Sequence, residues 1–105
     1  MKKNTPKQGS FRYIVFKDGN TWYAVALEFN IVESGDTHEE AYILLQNAVN
    51  GYIESLNKVK GLRDYSPLNQ KPADEYEKLW DLLEKKKPIP SPYKVHSFGN
   101  TLTTV

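Results

Sequence analysis

Apolar and polar positions alternate with changing period along the chain, and each change of period predicts an element. Phe11-Arg12-Tyr13-Ile14-Val15-Phe16 is dense in β-branched and aromatic residues, and so is the run from Trp22 to Phe29. Lys17-Asp18-Gly19-Asn20 lies between them with an Asp-Gly turn signal, so the two runs predict a β-hairpin. A two-residue loop at Asp18-Gly19 sets Val15 opposite Trp22, whereas a three-residue loop from Asp18 to a left-handed Asn20 sets Val15 opposite Tyr23. The second register is preferred because it gathers Phe11, Tyr13, Val15, Tyr23, Val25 and Leu27 on one face, and a one-residue slip turns every side chain over. The opposite face then holds Arg12, Ile14, Phe16, Trp22, Ala24 and Ala26.

Asn30 to Ser34 reads as a short third strand. At Thr37 the period changes to that of a helix: Ala41, Leu44, Leu45, Ala48, Val49, Tyr52, Ile53 and Leu56 form one apolar stripe. Thr37 and Glu40 fit a capping box, and Glu39 and Glu40 stand where the helix dipole favours anions. This helix is expected to cover the larger aliphatic face of the sheet. Gly51 interrupts the stripe's helix at a cost relative to alanine, which close packing would explain. Asn57 to Lys71 is a polar loop. Tyr76, Leu79, Trp80 and Leu83 then recur at i, i+3, i+4 and i+7, predicting a second helix that ends near Lys85-Lys86-Lys87. Pro88-Ile89-Pro90-Ser91-Pro92 is an extended connector, and Tyr93 to Phe98 a final strand that continues past Gly99-Asn100. The fold class is therefore α+β: a three- or four-stranded, mainly antiparallel sheet, one long helix on one face, and an inserted second helix. Residues 1–9 read as a loose tail and 10–105 as a single domain with a helical insertion at about 58–86.

Composition narrows the function more than the fold. The chain has 105 residues, 39% hydrophobic and 26% charged, with 14 basic and 13 acidic side chains and a net charge of +1. That balance argues against a dedicated electrostatic nucleic-acid binder. No apolar run reaches the roughly 20 residues of a membrane span, and the polar, lysine-bearing start is not a signal peptide. The absence of cysteine removes disulfides, thiolate metal sites and cysteine nucleophiles, and fits a cytoplasmic location. The glycines are scattered and form no phosphate-cradling motif, so no cofactor is expected. His38, in a first helical turn, is expected to be solvated; His96 lies on a strand without an acidic neighbour. The serines lack a nucleophile-elbow context. Asp36, Glu39 and Glu40 cluster, but helix capping already accounts for them, so neither a metal site nor catalysis is expected.

Three stretches carry a family likeness. Trp22-Tyr23-Ala24-Val25-Ala26-Leu27, Ser34-Gly35-Asp36-Thr37-His38-Glu39-Glu40-Ala41 and Lys87-Pro88-Ile89-Pro90-Ser91-Pro92 stand in the order of the second strand, the helix start and the proline-rich lead to the last strand of HicB-type antitoxins. The likeness spans 11–57 and 87–98. It resembles the N-terminal, partial RNase-H-like domain of that family. It implies a protein that binds and silences a HicA-type toxin, a small ribonuclease that cleaves messenger RNA. The first strand has no Asp or Glu with which to hold the metal ions of a working RNase-H-type nuclease. No helix-turn-helix or ribbon-helix-helix segment is recognisable, so operator binding is not expected.

The sheet face left by the long helix is the remaining clue. Ile14, Phe16, Trp22, Ala24 and Ala26 form more contiguous apolar area than water tolerates without consequence. Either the inserted helix lays its stripe across this face, which is the preferred solution, or a second copy or a toxin covers it. The partner contacts expected are the apolar Ile14, Phe16, Trp22 and Ala24, with the carboxylates Glu28, Glu33 and Asp36 for a basic toxin. The competing readings are an orphan module that self-associates, as a homodimer or by addition at a sheet edge, and a nuclease remnant.

Overall fold

A computed structural model describes residues 9–58 and 69–102. Four strands, β1 (Ser10–Asp18), β2 (Thr21–Ala26), β3 (Ile31–Gly35) and β4 (Lys94–Leu102), form one antiparallel sheet in the order β3-β2-β1-β4. Helix α1 (His38–Asn57) follows β3, and helix α2 (Asp74–Glu84) precedes β4. The α+β class, the antiparallel sheet and both helices are as the sequence predicts. Residues 1–8, 59–68 and 103–105 lie outside the described residues, and with them most of the expected tail and of the expected polar stretch before α2. Among the described residues no helix is long and apolar enough to cross a membrane.

The hairpin register differs from the expected one. Asp18 pairs with Thr21 and Val15 with Ala24, so the loop is the two residues Gly19-Asn20. Gly19 takes the left-handed conformation, at φ 65°, and Asn20 does not. Glycine at the first central position is the signature of a two-residue turn that matches the twist of its strands. The one-residue shift regroups the faces: Phe11 and Val15 now side with Ala24 and Ala26, and Ile14 and Phe16 with Val25 and Leu27. Choosing the register by the most aliphatic face fails because both faces are buried, so neither arrangement exposes the apolar set.

The second run also ends early. Leu27–Phe29 forms a single 3₁₀ turn closed by Asn30 in the left-handed region, at φ 52°. The Asn30 side chain clamps the segment that leads to α2: its amide donates to the Lys71 carbonyl at 3.0 Å, and its carbonyl accepts from the Ala73 N–H at 3.0 Å. That clamp delivers the chain to the start of α2.

Helix α1 begins where its cap predicts. Thr37 Oγ1 accepts from the Glu40 N–H at 3.0 Å, while the Glu40 carboxylate accepts from the Asp36 N–H at 3.3 Å, one residue before the N–H a capping box uses. Gly35 is needed at this corner, because a Cβ there would stand 2.9 Å from the Ala41 nitrogen. Ala41, Leu45, Val49 and Ile53 are the buried centre of the stripe and pack on Phe11, Val15, Ala24, Ala26 and Phe29. Leu44 lies at the stripe's solvent edge. Helix α2 covers the other face, with Leu79 and Trp80 against Ile14, Phe16, Val25 and Leu27.

Gly51 is not explained by close packing. It is exposed, and a Cβ on it would meet nothing within 4 Å. Gly51→Ala is therefore expected to stabilise the protein by about 0.5–1 kcal/mol, since alanine is the better helix former and loses less freedom on folding. A rise in the urea midpoint checks it; an unchanged or lower midpoint would show that this helix face is not free.

Candidate functional site

The residues that the sequence singles out for partner contact do not share a surface. Ile14 and Phe16 are 0% and 3% exposed beneath α2, and Ala24 is 0% exposed beneath α1. Helix α2 has completed the core, the preferred of the two solutions, so these three side chains are not presented to a partner. The corrected register also moves Trp22 and Ala24 to the α1 side, away from Ile14 and Phe16. Glu33 is half-buried on edge strand β3, and Asp36 is exposed just before α1. These two, together with exposed Glu39 and Glu40, leave a rim of carboxylates where β3 passes into the helix.

Glu28 has a different task. It is buried in the 3₁₀ turn, and its carboxylate accepts from the Arg12 backbone N–H at 2.6 Å and from Arg12 Nε and Nη2 at 2.9 and 2.6 Å. The same guanidinium donates to both carboxylate oxygens of Glu77 on α2, at 2.7 and 3.0 Å. Its carbon lies 5.4 Å from the centroid of the Trp80 ring. Two carboxylates hold the Arg12 charge, above all through the hydrogen bonds of Glu77, and its pKa is raised despite the opposing effect of burial. Planar, two-pronged pairing of this kind fixes orientation, so Arg12 ties β1, the 3₁₀ turn and α2 together. Beside it, Phe16 is ringed by Tyr23, Tyr76 and Tyr93. Burial, then the neighbouring Glu75, pushes the Tyr76 hydroxyl up to about 12.

A second cluster has no counterpart in the sequence pattern. His38 and His96 lie far apart in the chain and read as isolated residues, yet their rings stack at 3.9 Å with 18° between planes. Trp22 meets both edge-on, at 5.3 and 5.8 Å. The reason lies in β4: Val15 pairs with Ser97 and Phe16 with Val95, which leaves His96 as the extra residue of a β-bulge. The bulge brings the imidazole against the first turn of α1. Beside the pair opens a cleft of about 280 Å³, lined by Tyr13, Val15, His38, Glu39, Tyr42, His96 and Ser97. Nothing in the alternation of residues 93–98 marks the bulge, so spacing does not reveal this cluster.

The chemistry available in the cleft is limited by ring orientation. Imidazole lone pairs lie in the ring plane, so two nearly parallel stacked rings do not aim their nitrogens at one point. Among the described residues no group of three His, Cys, Asp or Glu side chains is placed to hold a metal ion. The contact nearest to an acid–base pair is His38 Nε2 to Glu39 Oε1 at 3.5 Å, between neighbours in sequence. Packing is what this cluster visibly does, by joining the start of α1 to the bulge of β4. No family model, curated protein or solved structure matches the chain.

Proposed function

We propose that the protein is a non-catalytic partner-binding domain, a HicB-like antitoxin that binds and neutralises a HicA-type mRNA-cleaving toxin in the cytoplasm. The observation that carries this reading is the placement of the three stretches behind the family likeness. Trp22 to Leu27 lies in and just past β2, Gly35-Asp36-Thr37 turns β3 into the capped start of α1, and the proline stretch leads into β4. With Ile14, Phe16, Ala24 and Glu28 committed to the protein's own interior, the contact passes to the carboxylate rim of Glu33, Asp36, Glu39 and Glu40. Like-signed charges at one corner suit a basic toxin, whose approach they would steer. The rim stands beside Trp22, which offers an aromatic anchor at its inner edge.

The test is co-expression and co-purification with the small toxin encoded by an adjacent reading frame. A stable complex at micromolar concentration or below is expected, with relief of the toxin's growth arrest. The pair Glu33→Lys and Asp36→Lys is expected to weaken that complex at least tenfold, and Asp36→Lys alone, at an exposed position, is expected to weaken it without disturbing the fold. No complex at micromolar concentration would overturn the antitoxin reading. RNA cleavage that a chelator abolishes would favour a nuclease remnant instead. The orphan, self-associating module is the second reading, and one observation favours it: among the described strands none pairs with the outer edge of β4.

A further inference from the structure

The two edges of the sheet are not alike. Strand β3, at one edge, is five residues long, carries Glu33 and leads directly into α1. Strand β4, at the other, is nine residues long and contains no proline; its single charge, Lys94, stands at its first position. Its inner side pairs with β1 along its length, interrupted by the bulge at His96, and among the described strands none lies on its outer side. Long, uncharged edges are what monomeric sheet proteins ordinarily avoid, because their free N–H and C=O groups invite another strand. The side chains match the backbone. Phe98 is 41% and Leu102 76% exposed, and their β1 partners, Ile14 and Ser10, place both on the α2 side of the sheet.

From these features we infer that the outer edge of β4 is the seam of a homodimer, in which a second copy adds its own β4 antiparallel and the two sheets become one of eight strands. The inference is independent of the toxin reading. Charge decides between a copy and a basic partner: β4 carries no Asp or Glu to attract one, and Glu33 lies on β3 at the opposite edge. Symmetry decides the register. A two-fold axis through Phe98 sets it against Phe98 of the second copy and, because the bulge takes up one residue, Lys94 against the second copy's Thr101, next to its Leu102. The two lysines then stand roughly 20 Å apart, six steps of about 3.4 Å, and do not repel. Each Phe98 ring, already edge-on to Trp80 at 5.6 Å, is covered by its twin. Facing aromatic pairs are favourable contacts between antiparallel strands.

The experiment is sedimentation velocity on the full chain over a hundredfold range of concentration. A species of twice 12.1 kDa is expected to dominate in the tens of micromolar. Phe98→Lys, which brings two ammonium groups face to face, is expected to weaken association at least tenfold, and so is Phe98→Glu. An equal mixture of the two variants is expected to recover it, because opposite charges then meet on the axis. Leu102→Lys, at the most exposed of these positions, places like charges at both ends of the seam and is expected to weaken association without touching the core. Ile43→Lys, on the solvent face of α1, is expected to change nothing. A monomer at every concentration, association that survives Phe98→Lys, association lost in Ile43→Lys, or a mixture that fails to recover would each overturn the seam as described.

Discussion

Replacing Arg12 by methionine is expected to lower the stability of the protein by about 3 kcal/mol, although it removes a charge and keeps the apolar stem. The reason is what remains. Glu28 is 8% exposed, and of its three hydrogen bonds from Arg12 only the one from the backbone N–H survives the substitution. A buried carboxylate stripped of its counter-charge costs far more than the pair was worth. The partners are expected to rank by burial. Glu28→Gln keeps the backbone contact and leaves Arg12 paired with Glu77, so it costs less than Arg12→Met. Glu77→Gln affects a carboxylate that is nearly half exposed, and about 1 kcal/mol or less is expected, the range of surface pairs. The double variant Arg12→Met with Glu28→Gln is expected to recover part of the loss, since no bare charge is then left inside. Urea unfolding of the four variants reads this directly. Equal, small losses for Arg12→Met and Glu77→Gln would show that the guanidinium is an ordinary surface group.

The same node explains why the sequence misplaces part of the partner surface. Glu28 comes after an apolar run and has no acidic or basic neighbour within three positions, so it reads as a free carboxylate. Its counter-charge lies 16 residues earlier and reaches it only because β2 turns into a 3₁₀ turn at Leu27. That turn depends on Asn30 in a left-handed conformation, which its side-chain contacts with 71 and 73 support. Local pattern sees none of these long-range ties. What it does see is each element whose period is strong. The stripe of α1, the capping threonine, the i, i+3, i+4, i+7 set of α2 and the strand after the prolines all stand where periodicity puts them. The hairpin is legible as a hairpin but not in register, because register is fixed by which face is buried and here both faces are. The bulge at His96 is illegible for a related reason: a single extra residue in a strand leaves no mark on an alternation already weakened by Ser97 and Gly99.

Covering both faces changes where function can reside. With one helix, the side holding Ile14 and Phe16 would have been the natural docking surface. With α2 in place, a partner is left with corners and edges: the carboxylate rim at the start of α1, the cleft beside His38 and His96, and the outer side of β4. The rim and the cleft share Glu39, and the cleft reaches β4 at His96 and Ser97. Strand β3, which carries Glu33, and the β4 edge are at opposite ends of the strand order, so a toxin at β3 and a second copy at β4 do not compete for the same strand.

Trp80→Ala is expected to have the other large effect, about 3–5 kcal/mol, and to show it locally before it shows it globally. The indole is 6% exposed and fills the centre of the α2 contact. One edge of it meets Phe98, a face lies near the Arg12 guanidinium, and its ring N–H donates to Glu84 one turn on. Truncation removes the largest apolar group that α2 contributes and loosens the Arg12–Glu77 fork at the same time. An eleven-residue helix has little stability of its own, so its hydrogen bonds persist only while its apolar face is docked. Amide hydrogen exchange is therefore expected to accelerate in 74–84 well beyond the rate in α1, whose buried stripe faces the other side of the sheet. Undocking uncovers Ile14 and Phe16, so binding of a hydrophobic dye such as ANS is expected to rise under conditions in which α1 remains protected. If the loss stays below about 1 kcal/mol and exchange in 74–84 is unchanged, the apolar stripe of α2 is not what holds it to the sheet. The face beneath it would then be available to a partner, as the bare sheet pattern suggests.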